Sequence, residues 1–291
     1  MREFVDLHTH TTASDGADTP AELVRWAADL GLAAVAVTDH DTIAGLREAE
    51  EAGLEHDIEV IRGCELSASS ACGELHILGL WLPRSTEALE AALETARKRR
   101  GARNRRMVDK LKSLGLDMDY GAVLAEAGGE AVGRPHIARA MVRLGHVADV
   151  RTAFDRYLRY GAAAFVSKET LTAQEAVRLL AGMGATVALA HPLLVRSPRS
   201  ELEACIVDLR AAGLTALEAF HADHSQADEA YVQSLARRLN LGITGGSDYH
   251  GNTKPGVKLG RSGHGPWSGP RADLDMLEAL KRQRLDKGLP V

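Results

Sequence analysis

The sequence predicts an α/β fold, a barrel of mostly parallel strands carrying a helical insertion, on three observations. Short apolar runs rich in β-branched residues alternate with longer helical patterns. Glycines fall where those helices should stop. Ionisable residues collect just after the apolar runs, at strand C-termini, the edge where barrels and open α/β sheets build their sites.

Taken in order, the strands are expected at residues 4–7, 34–37, 58–62, 77–80, 186–190, 216–219 and 243–245. Thr19-Pro20-Ala21-Glu22 reads as an N-cap, a proline in the first turn and an early acidic residue. Gly31, Gly53, Gly184 and Gly213 mark the expected helix ends. About seven strands suit a relative of the eight-stranded TIM barrel, with an open doubly wound sheet as the alternative that periodicity leaves standing. One link is irregular. Only about ten residues separate the strand ending near Glu65 from the one beginning near His76, whereas a parallel crossover needs a dozen or more. A hairpin-like connection follows, bringing His76 close to Glu65.

After Pro83 the strand signals vanish until about Ala164, and helical patterns succeed one another. The expected organisation is a barrel from residues 1–83 and 165–291 with a small helical subdomain, 84–164, inserted on the substrate side. A long charged helix over 86–114 opens it, crowding Arg97, Lys98, Arg99, Arg100, Arg103, Arg105 and Arg106 together. Such a run is ordinarily a solvated face; here it is also a candidate landing surface for phosphate-bearing substrate.

Composition narrows the function classes. Among 291 residues, 45% hydrophobic and 26% charged is a globular balance, and a formal charge of −5 argues against a general nucleic-acid coat. Cys64, Cys72 and Cys205 are too few and too irregularly spaced for a disulfide framework or a thiolate zinc site, so a metal here needs imidazole and carboxylate. The charged start and the lack of an apolar run of roughly 18 residues predict a cytoplasmic protein without a membrane partner. No obligatory protein partner is expected.

His8 and His10 follow the first strand, His40 the second, Glu65 the third, His191 the one after the insertion, His221 and His224 the next, and Asp248 and His250 the last. In extended chain His8 and His10 point the same way, as do Asp248 and His250, so each pair can chelate. Asp15, in the turn-like Ser14-Asp15-Gly16, can fold back over the first pair. A lone histidine is more often structural; repetition at one end of a barrel sharply weakens that explanation for His8, His10, His40, His191 and His250, though not for His56, His146 and His264. With His76, and with His221 and His224 set aside for another role, the candidate ligands number nine, too many for one tetrahedral ion and enough for two or three sharing a bridging carboxylate, for which Glu65 is the natural choice. Imidazole and carboxylate without thiolate suit manganese, zinc or iron, while magnesium alone prefers fewer imidazoles.

These residues also make up the pattern of the PHP family, named for polymerase and histidinol phosphatase, and the resemblance covers nearly the whole chain. It rests on Asp6-Leu7-His8-Thr9-His10, Ser14-Asp15-Gly16, Thr38-Asp39-His40-Asp41, Gly63-Cys64-Glu65, His76-Ile77-Leu78-Gly79, Ala190-His191-Pro192 and Gly246-Ser247-Asp248-Tyr249-His250-Gly251. The resemblance implies a distorted seven-stranded, PHP-type (β/α)7 barrel with a bi- or trinuclear centre. It implies one ion on His8, His10, Glu65 and Asp248, a second on Asp15, His40 and His250, and a third on Glu65, His76 and His191. Gly133-Arg134-Pro135-His136, Phe165-Val166-Ser167 and His224-Ser225 resemble one subgroup, the 3′,5′-nucleotide bisphosphate phosphatases and 5′–3′ exoribonucleases. The implied activity is hydrolysis of 3′-phosphoadenosine 5′-phosphate to AMP and phosphate, or trimming of short RNA, with histidinol phosphate as an alternative substrate.

Paired ions lower the pKa of a shared water from 15.7 toward roughly 7, so the expected nucleophile is metal-activated hydroxide, with two or three divalent ions, manganese foremost and zinc, iron or magnesium as alternatives. Arg134 and His136, at a helix start, and Lys168 are expected to grip a second phosphate. His221 and His224 are the candidate general acids, undivided by sequence. Two rivals stand beside this reading: an amidohydrolase, which also places His-x-His after its first strand, and a non-catalytic metal-stabilised module binding nucleotides or RNA ends.

Overall fold

The computed structural model describes residues 3–127, 132–167, 170–263, 269 and 272–291. Two compact units emerge, Met1–Glu90 with Leu171–Val291, and Ala91–Thr170.

In the larger unit, β1 (Val5–Asp6), β2 (Ala34–Val37) and the start of β3 (Glu59–Ser70) pair in parallel, with α1 (Pro20–Asp29) and α2 (Leu46–Glu55) as crossovers. β3 and β4 (Gly73–Leu80) then form the antiparallel hairpin expected from the short link, paired from Gly63↔Leu80 to Ser70↔Gly73. Both arms outrun the apolar stretches that betrayed them, because their outer halves pair beyond the core with mixed polarity. β6 (Thr186–Leu189) lies antiparallel to β4 and is followed in parallel by β7 (Ala216–Phe220) and β8 (Gly242–Gly245). A two-residue strand, β5 (Leu171–Thr172), pairs with β3 and carries too little pattern to be foreseen. The Leu7 N–H donates to the Gly245 carbonyl at 3.1 Å, drawing the last strand back to the first. The result is a nearly closed seven-stranded mixed barrel, the distorted (β/α)7 form, rather than an open doubly wound sheet.

Local sequence accounts for the helices. Thr19 caps α1 in a reciprocal box with Glu22, Thr172 does the same with Glu175 for α7 (Ala173–Gly182), and Ser225 with Asp228 for α9 (Gln226–Arg238). Gly31, Gly184 and Gly213 stand in left-handed backbone just past α1, α7 and α8 (Arg199–Ala212), as expected. Gly53 does not end α2, which runs on to Glu55; a Cβ there would lie 2.6 Å from the Val60 side chain, so this glycine serves close helix–strand packing instead. Val5, Leu7, Ala36, Ile61, Leu78 and Leu80 share one apolar core with Leu277 and Leu280 of the last helix, α10 (Leu274–Leu285). Each larger side chain contributes about 1.5–3 kcal/mol by burial.

The smaller unit is helical and has its own core, Met107, Leu111, Val123, Ile137 and Met141 among its members. Most of α3 (Glu87–Ser113) belongs to it, with α4 (Tyr120–Ala127), α5 (Arg134–Arg143) and α6 (Val150–Ala153). The basic run on α3 is not one uniform surface. Arg97 and Lys98 are exposed beside Glu94, whereas Arg103 is buried with its Nε bonded to the Val166 carbonyl.

Candidate metal centre

The centre begins where β1 ends. Asp6, fully buried, accepts hydrogen bonds from the Ser247 N–H and hydroxyl and from the Gly260 and His8 N–H groups, tying the first strand's exit to the last strand's. Burial pushes its pKa up to about 6 against the pull of those bonds. Next to it Gly246 is obligatory, because a Cβ would sit 2.4 Å from the His8 nitrogen. Asp39 accepts from Thr11 and Ser14 and so shapes the loop that carries Asp15. His191 and Asp248 hold positive φ, 27° and 55°, conformations that cost of order 1–3 kcal/mol each and persist where the surroundings dictate them.

Glu65 stands at the middle, fully buried, and its two oxygens sort the histidines. One, Oε1, faces His76 Nδ1 at 3.0 Å and His191 Nε2 at 3.1 Å. The other, Oε2, faces His40 Nδ1 at 2.9 Å and the Nε2 atoms of His8 and His10 at 3.3 Å each. Asp248 Oδ1 approaches His10 and His8 at 3.2 and 3.5 Å, and Asp15 lies 3.3 Å from His250. All nine sequence candidates therefore meet. Four sets place donor atoms within 4.8 Å of one another: His10, Asp15, His40 and His250; His8, His10 and Asp248; His8, Glu65 and His191; His40, Glu65 and His76.

Charge and protonation are shared unevenly across this cluster. Burial disfavours a charged Glu65, yet His40 and His8 beside it hold its pKa well below the usual carboxylate range. Burial likewise opposes protonation of His8, but Glu218, Glu65 and Asp248 outweigh it and raise its pKa. His10, buried against His40, is depressed to about 3, while Glu65 and Glu74 lift His76 to about 10 despite its burial.

These residues fit divalent cations. Among the described residues, His8 Nε2, both His10 nitrogens, His40 Nδ1 and Glu65 Oε2 are buried without a hydrogen-bond partner, an arrangement too costly to be idle. Their lone pairs converge on common space. Behind them the second nitrogens are fixed: His8 Nδ1–H donates to Glu218 at 2.9 Å and His250 Nδ1–H to the Asp248 carbonyl at 2.9 Å. Such outer hydrogen bonds set the tautomer that leaves Nε2 free to ligate.

The remaining predicted residues divide. His221 Nδ1 accepts from the Asp223 N–H at 3.0 Å, which puts its proton on Nε2, 3.4 Å from Asp248 Oδ2. His224 stands behind it, ring centres 5.4 Å apart, with Nδ1 bonded to the Ala219 carbonyl. Arg134 and His136 open α5 in the helical unit; Arg134 reaches the Leu158 carbonyl, and His136 Nδ1 accepts from the Gly133 N–H. Lys168 and His264 lie outside the described residues. Sequence reading missed two participants. Glu218 left one signal, an acid inside the otherwise apolar β7, and it also accepts the His191 N–H at 2.7 Å. Lys254 left none; its Nζ lies 2.7 Å from Asp248 and 3.3 Å from Asp223.

The chain is similar to known proteins in sequence and in fold. The PHP domain model matches residues 6–160. The chain is 35% identical to the 3′,5′-nucleoside bisphosphate phosphatase of Chromobacterium violaceum over 89% of its own length and 91% of that protein's. It is also 35% identical to a 5′–3′ exoribonuclease of Haemophilus influenzae, over 86% and 91%. Among solved structures, an amidohydrolase from Chromobacterium violaceum with bound sulfate superposes with a TM-score of 0.76 at 33% identity, covering 96% of each chain.

Proposed function

Since the chain belongs to the PHP family of metal-dependent phosphoesterases, we propose that it removes the 3′-phosphate from nucleoside 3′,5′-bisphosphates such as 3′-phosphoadenosine 5′-phosphate. The observation that carries the chemistry is the convergence of imidazoles on both oxygens of Glu65, a donor set that would hold divalent cations. Similarity to the bisphosphate phosphatase over nearly the full length of both chains supports the substrate class. Similarity to the exoribonuclease supports the second reading, removal of nucleotides from the 5′ end of short RNA.

In this reading His8, His10, Asp15, His40, Glu65, His76, His191, Asp248 and His250 hold two or three divalent ions, with manganese foremost. Bound there, such ions supply Lewis acidity, activating water and neutralising phosphoryl oxygens. The chain's own groups do the rest. Glu218 keeps the His8 proton on Nδ1 and steadies the His191 backbone. His221, a neutral imidazole with its proton on Nε2, donates a hydrogen bond that stabilises charge on the departing ester oxygen, which takes its proton from water; His224, turned to a backbone carbonyl, buttresses it. Lys254 adds positive charge beside Asp248. Arg134, whose guanidinium suits bidentate binding, grips the second phosphate with His136 and Lys168.

Parallel assays of the manganese-, zinc-, iron- and magnesium-loaded protein test the proposal. Release of phosphate from 3′-phosphoadenosine 5′-phosphate, with or without cleavage of short 5′-phosphorylated RNA, is the expected result. Turnover of histidinol phosphate alone, or release of amine instead of phosphate, overturns it. His221→Ala should lower kcat by about 10²–10³-fold and His224→Ala far less; the reverse order removes His221 from the role of donor to the departing oxygen.

A further inference from the structure

The parallel strands have a second end, away from the metal ligands, and a cavity of 470 Å³ opens there. It is bounded by the first residues of β3, the chain leaving β4, the turn before β6 and the end of α10. The volume lies within the ordinary range of small-molecule sites.

The polar lining is dominated by donors. Arg284, only 3% exposed, gives Nε to the Pro290 carbonyl at 2.8 Å and Nη1 to the Gly184 carbonyl at 2.9 Å and the Thr186 hydroxyl at 3.2 Å. Every one of those acceptors is neutral, and Nη2 takes no part in these bonds. Among the described residues no carboxylate forms an ion pair with it. Its guanidinium lies 5.1 Å over the ring of Trp81, whose Nε1–H is buried and has no hydrogen-bond partner among the described residues. Arg62 and Arg84 both draw on a single carboxylate, Glu50, at 2.6 and 3.2 Å. The other acidic side chain of the lining, Glu59, is held by Lys281 at 2.8 Å, and Val291, which also borders the cavity, forms no ion pair with Arg284 among the described residues. Three guanidiniums and an indole N–H thus face acids that are already engaged, against apolar walls that include Met183 and Leu289. A buried cation without a counter-charge and a buried donor without an acceptor are both unfavourable, and one ligand can relieve both.

We propose that this cavity is a second ligand site, distinct from the metal centre, for a small organic monoanion: a carboxylate head on a flat apolar body. The carboxylate meets Arg284 and the Trp81 indole N–H, with Arg62 and Arg84 adding positive potential at the rim. The apolar body lies along Met183 and Leu289. One uncompensated buried positive charge calls for a single negative charge, and planar donors suit a planar carboxylate.

Titrating the metal-loaded full chain with 2-naphthoate, by calorimetry and by the indole N–H resonance of Trp81, tests this. Saturable one-to-one binding that shifts this resonance is expected, with the uncharged analogue 2-naphthalenemethanol about tenfold weaker or worse. Trp81→Phe keeps the ring and loses the donor; Arg84→Met alters a side chain that is 84% exposed and tolerant of change. Each should weaken 2-naphthoate by about three- to tenfold while leaving phosphate release unchanged. Equal binding of acid and alcohol, an unmoved Trp81 resonance, or an affinity indifferent to both substitutions overturns the proposal.

Discussion

At the scale of single residues the centre depends on lone-pair direction. Glu65 offers one oxygen to His76 and His191 and the other to His8, His10 and His40, five partners, a number matched by Asp248 with His8, His10, His221, His250 and Lys254. Its position three residues past Arg62 could be read from the chain; which imidazole meets which oxygen could not. Glu218 sits one layer back, and its contribution is orientation. Glu218→Gln keeps the shape and removes the charge that holds the His8 Nδ1 proton and accepts the His191 N–H. A loss of about 10–100-fold in metal affinity or turnover is expected, since outer-layer partners of metal-binding histidines have effects of that size. Metal titration alongside kcat measures it, and a variant with unaltered metal binding and rate would assign Glu218 to packing alone.

At the scale of elements the hairpin from β3 to β4 is the decisive unit. Its register sets Ser67 opposite His76 and Glu65 opposite Leu78, so His76 and Glu65 meet diagonally on one face of the pair. A one-residue slip would turn His76 to the other face, which makes this register as important as the residue types. The caps are more local. Ser225 and Asp228 bond reciprocally at the start of α9, and the Ser225 bonds hold the Asp228 carboxyl below its ordinary pKa. A depressed folded-state pKa stabilises above the unfolded value of about 3.9 and loses that contribution as pH falls through the folded value. Asp228→Asn should therefore cost roughly 0.5–1 kcal/mol near pH 7, a small figure because the capping pair lies at the surface and solvent screens it, and nothing at strongly acid pH. Urea denaturation at several pH values reads this directly; a penalty independent of pH would show that the carboxylate charge is irrelevant to the cap.

At the scale of the molecule two cores divide the chain, and the barrel unit alone gathers every candidate metal ligand. Packing so many histidines and acids together without cations leaves buried lone pairs facing one another, so ion binding and barrel stability are coupled. Chelation should lower the apparent stability by about 3 kcal/mol for a site previously at 100 times its Kd. For a chain of this size that is a fall in Tm of about 5–10 °C, reversed by manganese. An identical melting curve with and without chelator would mean that the cluster holds no tightly bound ion. No helix among the described residues is long and apolar enough to cross a membrane. The sequence by itself determined which stretches form the main barrel strands, that Thr19 caps α1 and that glycines follow three of the helices, and which imidazoles and carboxylates stand at strand ends. Those features follow from short-range periodicity and turn chemistry. Only the tertiary structure decided that Gly53 lies within its helix, that His221 rather than His224 turns toward Asp248, that Glu218 and Lys254 join the centre, and that donors gather at the far end of the barrel. The physical reason is that each depends on three-dimensional packing and burial, between close neighbours for Gly53, His221 and His224 and between distant strands for the others, which one-dimensional pattern does not encode.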